Sequence, residues 1–369
     1  MMTPGNEAEL AEAIAGASGP LAVQGGGTGG ISVPGEVLST SALTGVELYE
    51  PGALTLVARA GTPVAEVEAL LASEGQRLAF EPWDARGLLG TGGAPTIGGV
   101  FAANASGPRR VQAGAARDFL LGVRFVDGAG TVVKNGGRVM KNVTGYDLVK
   151  LMAGSHGTLG VLSEVALKVL PAPECTGVVL INGLDDAAAV RAMAAALGSP
   201  YEVTGAAHTP SGIDGHPATM LRLEGFEGSV KYRAGELQKL LAGIGDSTVE
   251  MDPERTKAGW AWVRDAETFH GRAGNVWRLS VKPSDAPELV RQLQPEGVLY
   301  DWGGGLVWVL MPEDRDVRAL MAGTKGHATL LRGRGYARFH PAPAPLAAIS
   351  AGLRQKFDPR GILNTGLMG

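Results

Sequence analysis

The stretch "VQGGGTGG", residues 23 to 30, offers backbone rather than side-chain chemistry. Gly25, Gly26, Gly27, Thr28, Gly29 and Gly30 can align consecutive N–H groups into a concave nest, and a nest holds a diphosphate without any helix. Gly25, Gly27 and Gly30 also fit G-x-G-x-x-G, the spacing of a nicotinamide dinucleotide site. That site needs a helix directly behind the glycines, whose positive end grips the pyrophosphate. Here "ISVPGEVLST" follows, with β-branched residues, Pro34 and Gly35 and no helical apolar period, so it predicts a loop entering a strand. On these residues alone, an anion nest and a plain turn between strands stand side by side.

A second small-residue stretch, "APTIGGVFAANASGPRR" (94 to 110), opens with Thr96 as a candidate N-cap, then Ile97, Gly98 and Gly99. Small side chains at Ala102, Ala103, Ala105, Ser106 and Gly107 let a planar ring approach the backbone. Arg109 and Arg110 then place cations where a diphosphate or carboxylate could sit. The competing reading is a small-residue helix packed on a sheet. One cysteine, Cys175, excludes an intramolecular disulfide, an all-cysteine iron–sulfur site and a four-cysteine zinc site. Histidines 208, 216, 270, 327 and 340 are isolated and stand at no ligand spacing, so no metal site is expected.

Positioning such groups needs a substantial scaffold, and 369 residues suffice for two domains. Lys+Arg 33 against Asp+Glu 37 gives net charge -4, with no basic stripe for nucleic acid. The N-terminus "MMTPGNEAEL" lacks a signal-peptide pattern, and no run approaches a membrane span, so a cytoplasmic location is expected. Glycine is in excess, 56 residues against a typical ~7%. The glycines cluster in separate short loops (25 to 30, 90 to 99, 128 to 137, 154 to 160, 303 to 305), as where backbone lies against a bulky ligand.

"GTPVAEVEALLASEG" predicts a helix with Thr62 as N-cap and Pro63 at N1, set between strands "LTLVAR" and "RLAF". "DFLLGVRFVDGAGTVV" predicts a hairpin, "YDLVKLMAG" a short helix and "LGVLSEVALKVL" a long strand. Residues 1 to 172 thus form one α+β body. From Cys175 onward the helices lengthen, and two β-α-β-β-α units predict a duplicated, ferredoxin-like antiparallel cap over 173 to 332. The tail 333 to 369, ending "FDPRGILNTG", is too small to fold alone and is expected to return to the first body. Trp302 to Trp308 is either a buried hairpin, the preferred reading, or an exposed docking face.

"GGGTGG", "PTIGG", "GRVMKNVTGYDLVKLMAGSHGTLGVLSEVALKVLP" and "FDPRGILNTG" together resemble the vanillyl-alcohol oxidase, or PCMH-type, FAD-binding superfamily. Within it, "RLEGFEGSVK", "WRLSVKPSDAP", "YDWGGGLVWVL" and "GHATLLR" are similar to the FAD-binding subunits of bacterial glycolate oxidase, over nearly the whole chain. The resemblance implies a two-subdomain FAD-binding domain with a cap over the isoalloxazine. It assigns Gly25, Gly26, Gly27, Thr28 and Gly29 to the pyrophosphate, and Thr96, Ile97, Gly98 and Gly99 to the flavin side. Ala103, Ser106, Gly107 and Arg109 join that wall. Gly157, Gly160 and Val161 go to the adenosine side, and Asn364 to a C-terminal turn against the ring. Residues 1 to 155 contain neither histidine nor cysteine, so the FAD is expected to be non-covalent. His156 is read as a structural loop residue.

The implied reaction is oxidation of glycolate, or a related 2-hydroxy acid, to the 2-oxo acid with hydride passing to flavin N5. It needs a cation for the carboxylate and a base for the hydroxyl proton. Arg278 is the first choice for the cation and Arg332 the second; His327, with His340, is the choice for the base, and Lys141 and Tyr146 are expected near the ring. The resemblance further implies a second flavin subunit and an iron–sulfur subunit as partners, with membrane association only through them. Two alternatives are a flavin-bearing relay or assembly subunit without turnover, and a stand-alone reductase of the cell-wall precursor type.

Overall fold

The period-2 alternation of the first half builds a five-stranded antiparallel sheet in the order Val46–Glu50, Thr55–Arg59, Val161–Lys168, Leu120–Val126, Val132–Gly136. The computed structural model describes residues 1–138, 145–212 and 215–368. The central strand Val161–Lys168 is buried along most of its length, matching its near-continuous apolar run. Helices Val64–Ser73 and Ile97–Ala103 cover one face, where Phe80 sits 5.5 Å from Phe101 and 5.4 Å from Phe119. Thr62 does not cap the first of these helices: Pro63 holds that place, and the Thr62 hydroxyl donates to the Arg59 carbonyl (2.8 Å). "RLAF" is not a full strand either. Only Gln76–Arg77 pairs, with Leu170–Pro171, because Leu78, Ala79 and Phe80 plunge into the core and Glu81 turns at φ 53°.

A smaller unit precedes this sheet. Asn6 caps helix Glu7–Ala15, and Leu21–Gln24 runs parallel to Glu36–Ser39. Residues 362 to 364 lie against it, with Leu21 N–H donating to the Ile362 carbonyl and Asn364 N–H to the Leu21 carbonyl. Leu10, Ile14, Leu38, Ile362 and Leu363 share one core.

The cap is a single eight-stranded antiparallel sheet made of two β-α-β-β-α-β repeats, Cys175–Glu250 and Asn275–Arg332. They join edge to edge through the pair His208–Tyr300. Strand alternation divides its faces. Val179, Leu221, Trp277 and Val309 point to the helices Asp186–Leu197, Glu227–Leu241 and Ala286–Leu293. Val276, Leu299, Trp308 and Leu331 point the other way, onto Trp83, Leu88 and Leu89 of the first body. Trp83 meets Trp308 edge-on at 5.6 Å.

Candidate functional site

Between the two sheets runs a cleft enclosing about 1460 Å³ including its open mouth. Its floor is the glycine loop, and the loop's shape follows from steric demands. A Cβ on Gly26 would lie 1.7 Å from the Ala94 carbonyl oxygen, and one on Gly25 would lie 2.3 Å from Thr96 Oγ1. Gly27 adopts φ 72° and Gly30 φ 59°, the left-handed region that favours glycine. The loop can therefore lie flat on 94 to 96. Among the described residues, the N–H groups of Gly26, Gly27, Thr28 and Gly29 find no acceptor. A row of free amide donors on a concave loop has the geometry to accept a diphosphate.

Gly25, Gly26, Gly27, Thr28, Gly29, Thr96, Gly98, Gly99, Ala103, Gly157, Gly160 and Val161 all line this cleft. Five other residues chosen from the sequence for the cofactor do not. Ile97 opens the helix that Thr96 caps and is fully buried in the core. Ser106 uses its hydroxyl to accept from Ala116 N–H and donate to the Asn104 carbonyl. Gly107 packs on the Glu81 carbonyl, 2.3 Å from where a Cβ would be. Arg109 is spent on Glu81 (3.0 Å) and Glu224 (2.7 Å), so it is no cofactor cation. Asn364 sits just behind the wall. Its Oδ1 accepts from Val23 N–H (2.7 Å), and its Nδ2 donates to the Val23 (3.2 Å) and His156 (2.8 Å) carbonyls. Asn364→Ala orphans these buried groups at about 1–3 kcal/mol each. We expect the variant to shed FAD on gel filtration and melt earlier; unchanged flavin retention and melting would refute the bracing role.

The cap side of the cleft is built by Arg278, Thr329 and Leu331. The Arg278 guanidinium lies 5.0 Å from the Trp302 ring and 5.6 Å from that of Trp308. Burial, then nearby Arg110, pull its pKa down to about 10, and it remains charged at neutral pH. Arg110 stacks on the same Trp302 at 4.7 Å. Among the described residues no carboxylate forms an ion pair with Arg278. Asp301, buried beside it, accepts from Trp302 N–H, and burial pushes its carboxyl up to about 7. Trp302 Nε1 donates to the Gly107 carbonyl and Trp308 is 3% exposed against Trp83, so this hairpin packs on the first body and offers no docking face.

The remaining choices part company. Arg332 is occupied by the carbonyls of Leu88, Phe269 and Arg272. His340 Nδ1 accepts from Ala328 N–H. His327 stands opposite Ser280, two residues along its strand from Thr329, exposed and outside the cleft lining. Partial desolvation and then Arg278, His340 and Arg110 lower its pKa, keeping it neutral at pH 7. Tyr146 is 88% exposed and outside the cleft lining, and Lys141 lies outside the described residues. His156 lines the cleft and stacks on Phe339 at 4.9 Å. Burial and Arg338 pull it down to about 4, and its Nδ1 is buried with no partner among the described residues.

Sequence reasoning missed Arg338 and Phe339, which bring the C-terminal segment into the cleft. Arg338 Nη2 donates to the Gly29 carbonyl at 3.2 Å, placing a cation at the glycine loop. The run "RGRGYARFH" carries three arginines in the sequence, and nothing in its spacing singles out this one.

Residues 1–136 match the family model described as FAD binding domain. Over 354 residues the chain is 37% identical to glycolate oxidase subunit GlcE of Escherichia coli (strain K12), covering 95% of this chain and 92% of that one. The chain belongs to the GlcE family of FAD-dependent oxidoreductases. Shorter matches reach glycolate oxidase subunit GlcD of Bacillus subtilis (strain 168), 40% identical over 25% of this chain and 20% of that one. A D-lactate dehydrogenase of Archaeoglobus fulgidus is 32% identical over 41% of this chain and 33% of that one. Among solved structures, an alkyldihydroxyacetonephosphate synthase superposes with a TM-score of 0.70 at 16% identity, over 99% of this chain and 76% of that one. That likeness concerns the fold. The cofactor is FAD, and the free amides of residues 26 to 29 and the side-chain-poor walls fit a long, diphosphate-centred nucleotide. Among the described residues, no helix is long and apolar enough to cross a membrane.

Proposed function

We propose that this GlcE-family chain is the FAD-binding subunit of a glycolate oxidase complex, oxidising glycolate or a related 2-hydroxy acid and passing electrons to an iron–sulfur partner. In this reading residues 1–172 and 333–369 hold the cofactor and 173–332 cap it. The observation that carries it is Arg278: a half-buried cation with no carboxylate ion-paired to it among the described residues, facing the same cleft as the glycine loop. A small carboxylate is the ligand such a group lacks. The indoles of Trp302 and Trp308 hold its guanidinium in place, and Trp83 and Leu331 keep water from the cap end. Bound FAD supplies the two-electron acceptor. The amides of residues 26 to 29 and Arg338 hold its diphosphate, and Gly157, Gly160 and Val161 its adenosine side. Neutral His327 takes the hydroxyl proton.

The experiment is to purify the chain, confirm bound flavin, and add glycolate, lactate or NADPH separately without oxygen. Bleaching by a hydroxy acid supports the reading. Bleaching by NADPH alone points to a reductase, and no bleaching to a relay or assembly subunit. Arg278→Met should keep its flavin while half-maximal bleaching needs roughly 10- to 150-fold more hydroxy acid, the loss of about 1.5–3 kcal/mol of charge-assisted bonding. An unchanged concentration dependence removes Arg278 from the site.

A further inference from the structure

The C-terminal helix Ala344–Phe357 buries none of its residues. Both its ends are tied down. Before it, Phe339 stacks on His156 in the cleft, and Arg318 donates to the Ala337 and Arg338 carbonyls. After it, Phe357 meets Phe125 at 6.1 Å, its carbonyl accepts from Gly128 N–H, and Arg360 donates to the Ala15 and Gly128 carbonyls. Between these anchors the helix stands off the body, with Leu346 57% and Ile349 61% exposed. Leu346, Ile349, Leu353 and Phe357 recur at helical spacing on one stripe. A helix of this length is marginal in water without tertiary packing. Phe357 closes the stripe against Phe125, whereas Leu346 and Ile349 stay exposed with no receiver among the described residues.

We infer that this helix is the docking element for a different polypeptide, one offering an apolar groove edged with carboxylates. The charge distribution selects that occupant. Residues 317–357 contain no Asp or Glu, although the whole chain is net negative; Arg318, Arg332 and Arg338 are spent on backbone carbonyls, and Lys325, Arg334 and Lys356 stand exposed. A second copy across a two-fold axis would set Arg354 and Lys356 against the positive N-terminal end of the partner helix, where no acid answers them. A membrane-surface helix carries Lys and Arg along its polar face. Here that face is Ala347, Ala348, Ala351 and Gly352, which lets another backbone approach closely. The helix also leads straight into the flavin cleft through Phe339, so a partner seated on it lies beside the redox centre. This inference rests on the reading of the chain as one subunit of an oxidase complex.

The test is co-expression of the full chain, wild type or Leu346→Asp/Ile349→Asp, with the GlcD-type subunit from the same cells, followed by size exclusion. Wild type should co-elute with that subunit, and hydrogen exchange across 344–357 should slow at least tenfold in the complex. The double variant should keep its bound flavin and its anaerobic response to glycolate while losing co-elution. Loss of that response in both forms would count against the proposed activity and leave the docking result standing. Co-elution of the variant with unchanged exchange protection overturns the inference. So does wild type forming a homodimer that the double variant abolishes, or binding phosphatidylglycerol vesicles through this helix.

Discussion

Gly26→Ala is expected to yield a folded chain that no longer retains FAD. The added Cβ would meet the Ala94 carbonyl oxygen at 1.7 Å and its carbon at 2.8 Å, and both are backbone atoms with no rotamer to change. The loop must lift from 94 to 96, taking with it the amides of residues 26 to 29. Overpacking of this kind costs about 1–3 kcal/mol. Borne by the cofactor site, that is roughly a 5- to 150-fold weaker hold on FAD. Gly92→Ala is the control, since its Cβ meets nothing within 4 Å and its residue is exposed and outside the cleft. The readout is the flavin-to-protein absorbance ratio with a titration of added FAD. Equal affinity in the two variants would mean that the loop does not hold the diphosphate.

Glu224→Ala should produce the largest loss of stability in the molecule. Glu224 and Glu81 bind three arginines from both sides of the junction: Arg77 (2.7 Å) and Arg109 (2.7 Å) reach Glu224, while Arg109 (3.0 Å) and Arg222 (3.1 Å) reach Glu81. Arg222 further lies over the Trp260 ring at 4.3 Å. Removing one carboxylate strands buried cations, an effect of about 3–5 kcal/mol. Desolvation opposes ionisation of both glutamates, but Arg222 and Arg109 prevail and hold both carboxyls below the ordinary range, with Arg77 also acting on Glu224. A depressed carboxyl contributes fully above the ordinary glutamate value of about 4.3 and loses its contribution as pH falls toward the depressed one. The gap in urea midpoint between wild type and variant should therefore be widest at pH 7. It should close by about 1.4 kcal/mol for each pH unit below about 4.3. A gap that ignores pH would assign the effect to lost packing instead.

Which features were readable in advance follows from how local their causes are. The strand Val161–Lys168 and the repeats of the cap announce themselves through apolar alternation, which is set by neighbours two residues apart. The glycine loop is readable because free amides on a flat turn need residues without Cβ, whatever the surroundings. Arg109 and Arg278 looked alike as sequence. Tertiary contacts alone send the first to Glu81 and Glu224 and leave the second facing the cleft.

The same holds for "RLAF", apolar enough for a strand yet drawn into the core around Phe80, and for Arg338, which reaches Gly29 from 309 positions away. Local pattern determined that this chain would make an α+β body with side-chain-poor turns and a duplicated antiparallel cap, because strand period and glycine conformation are short-range properties. Only the folded chain decided which charges are neutralised and which stay available, because an ion pair depends on distances between segments that no spacing in the sequence encodes.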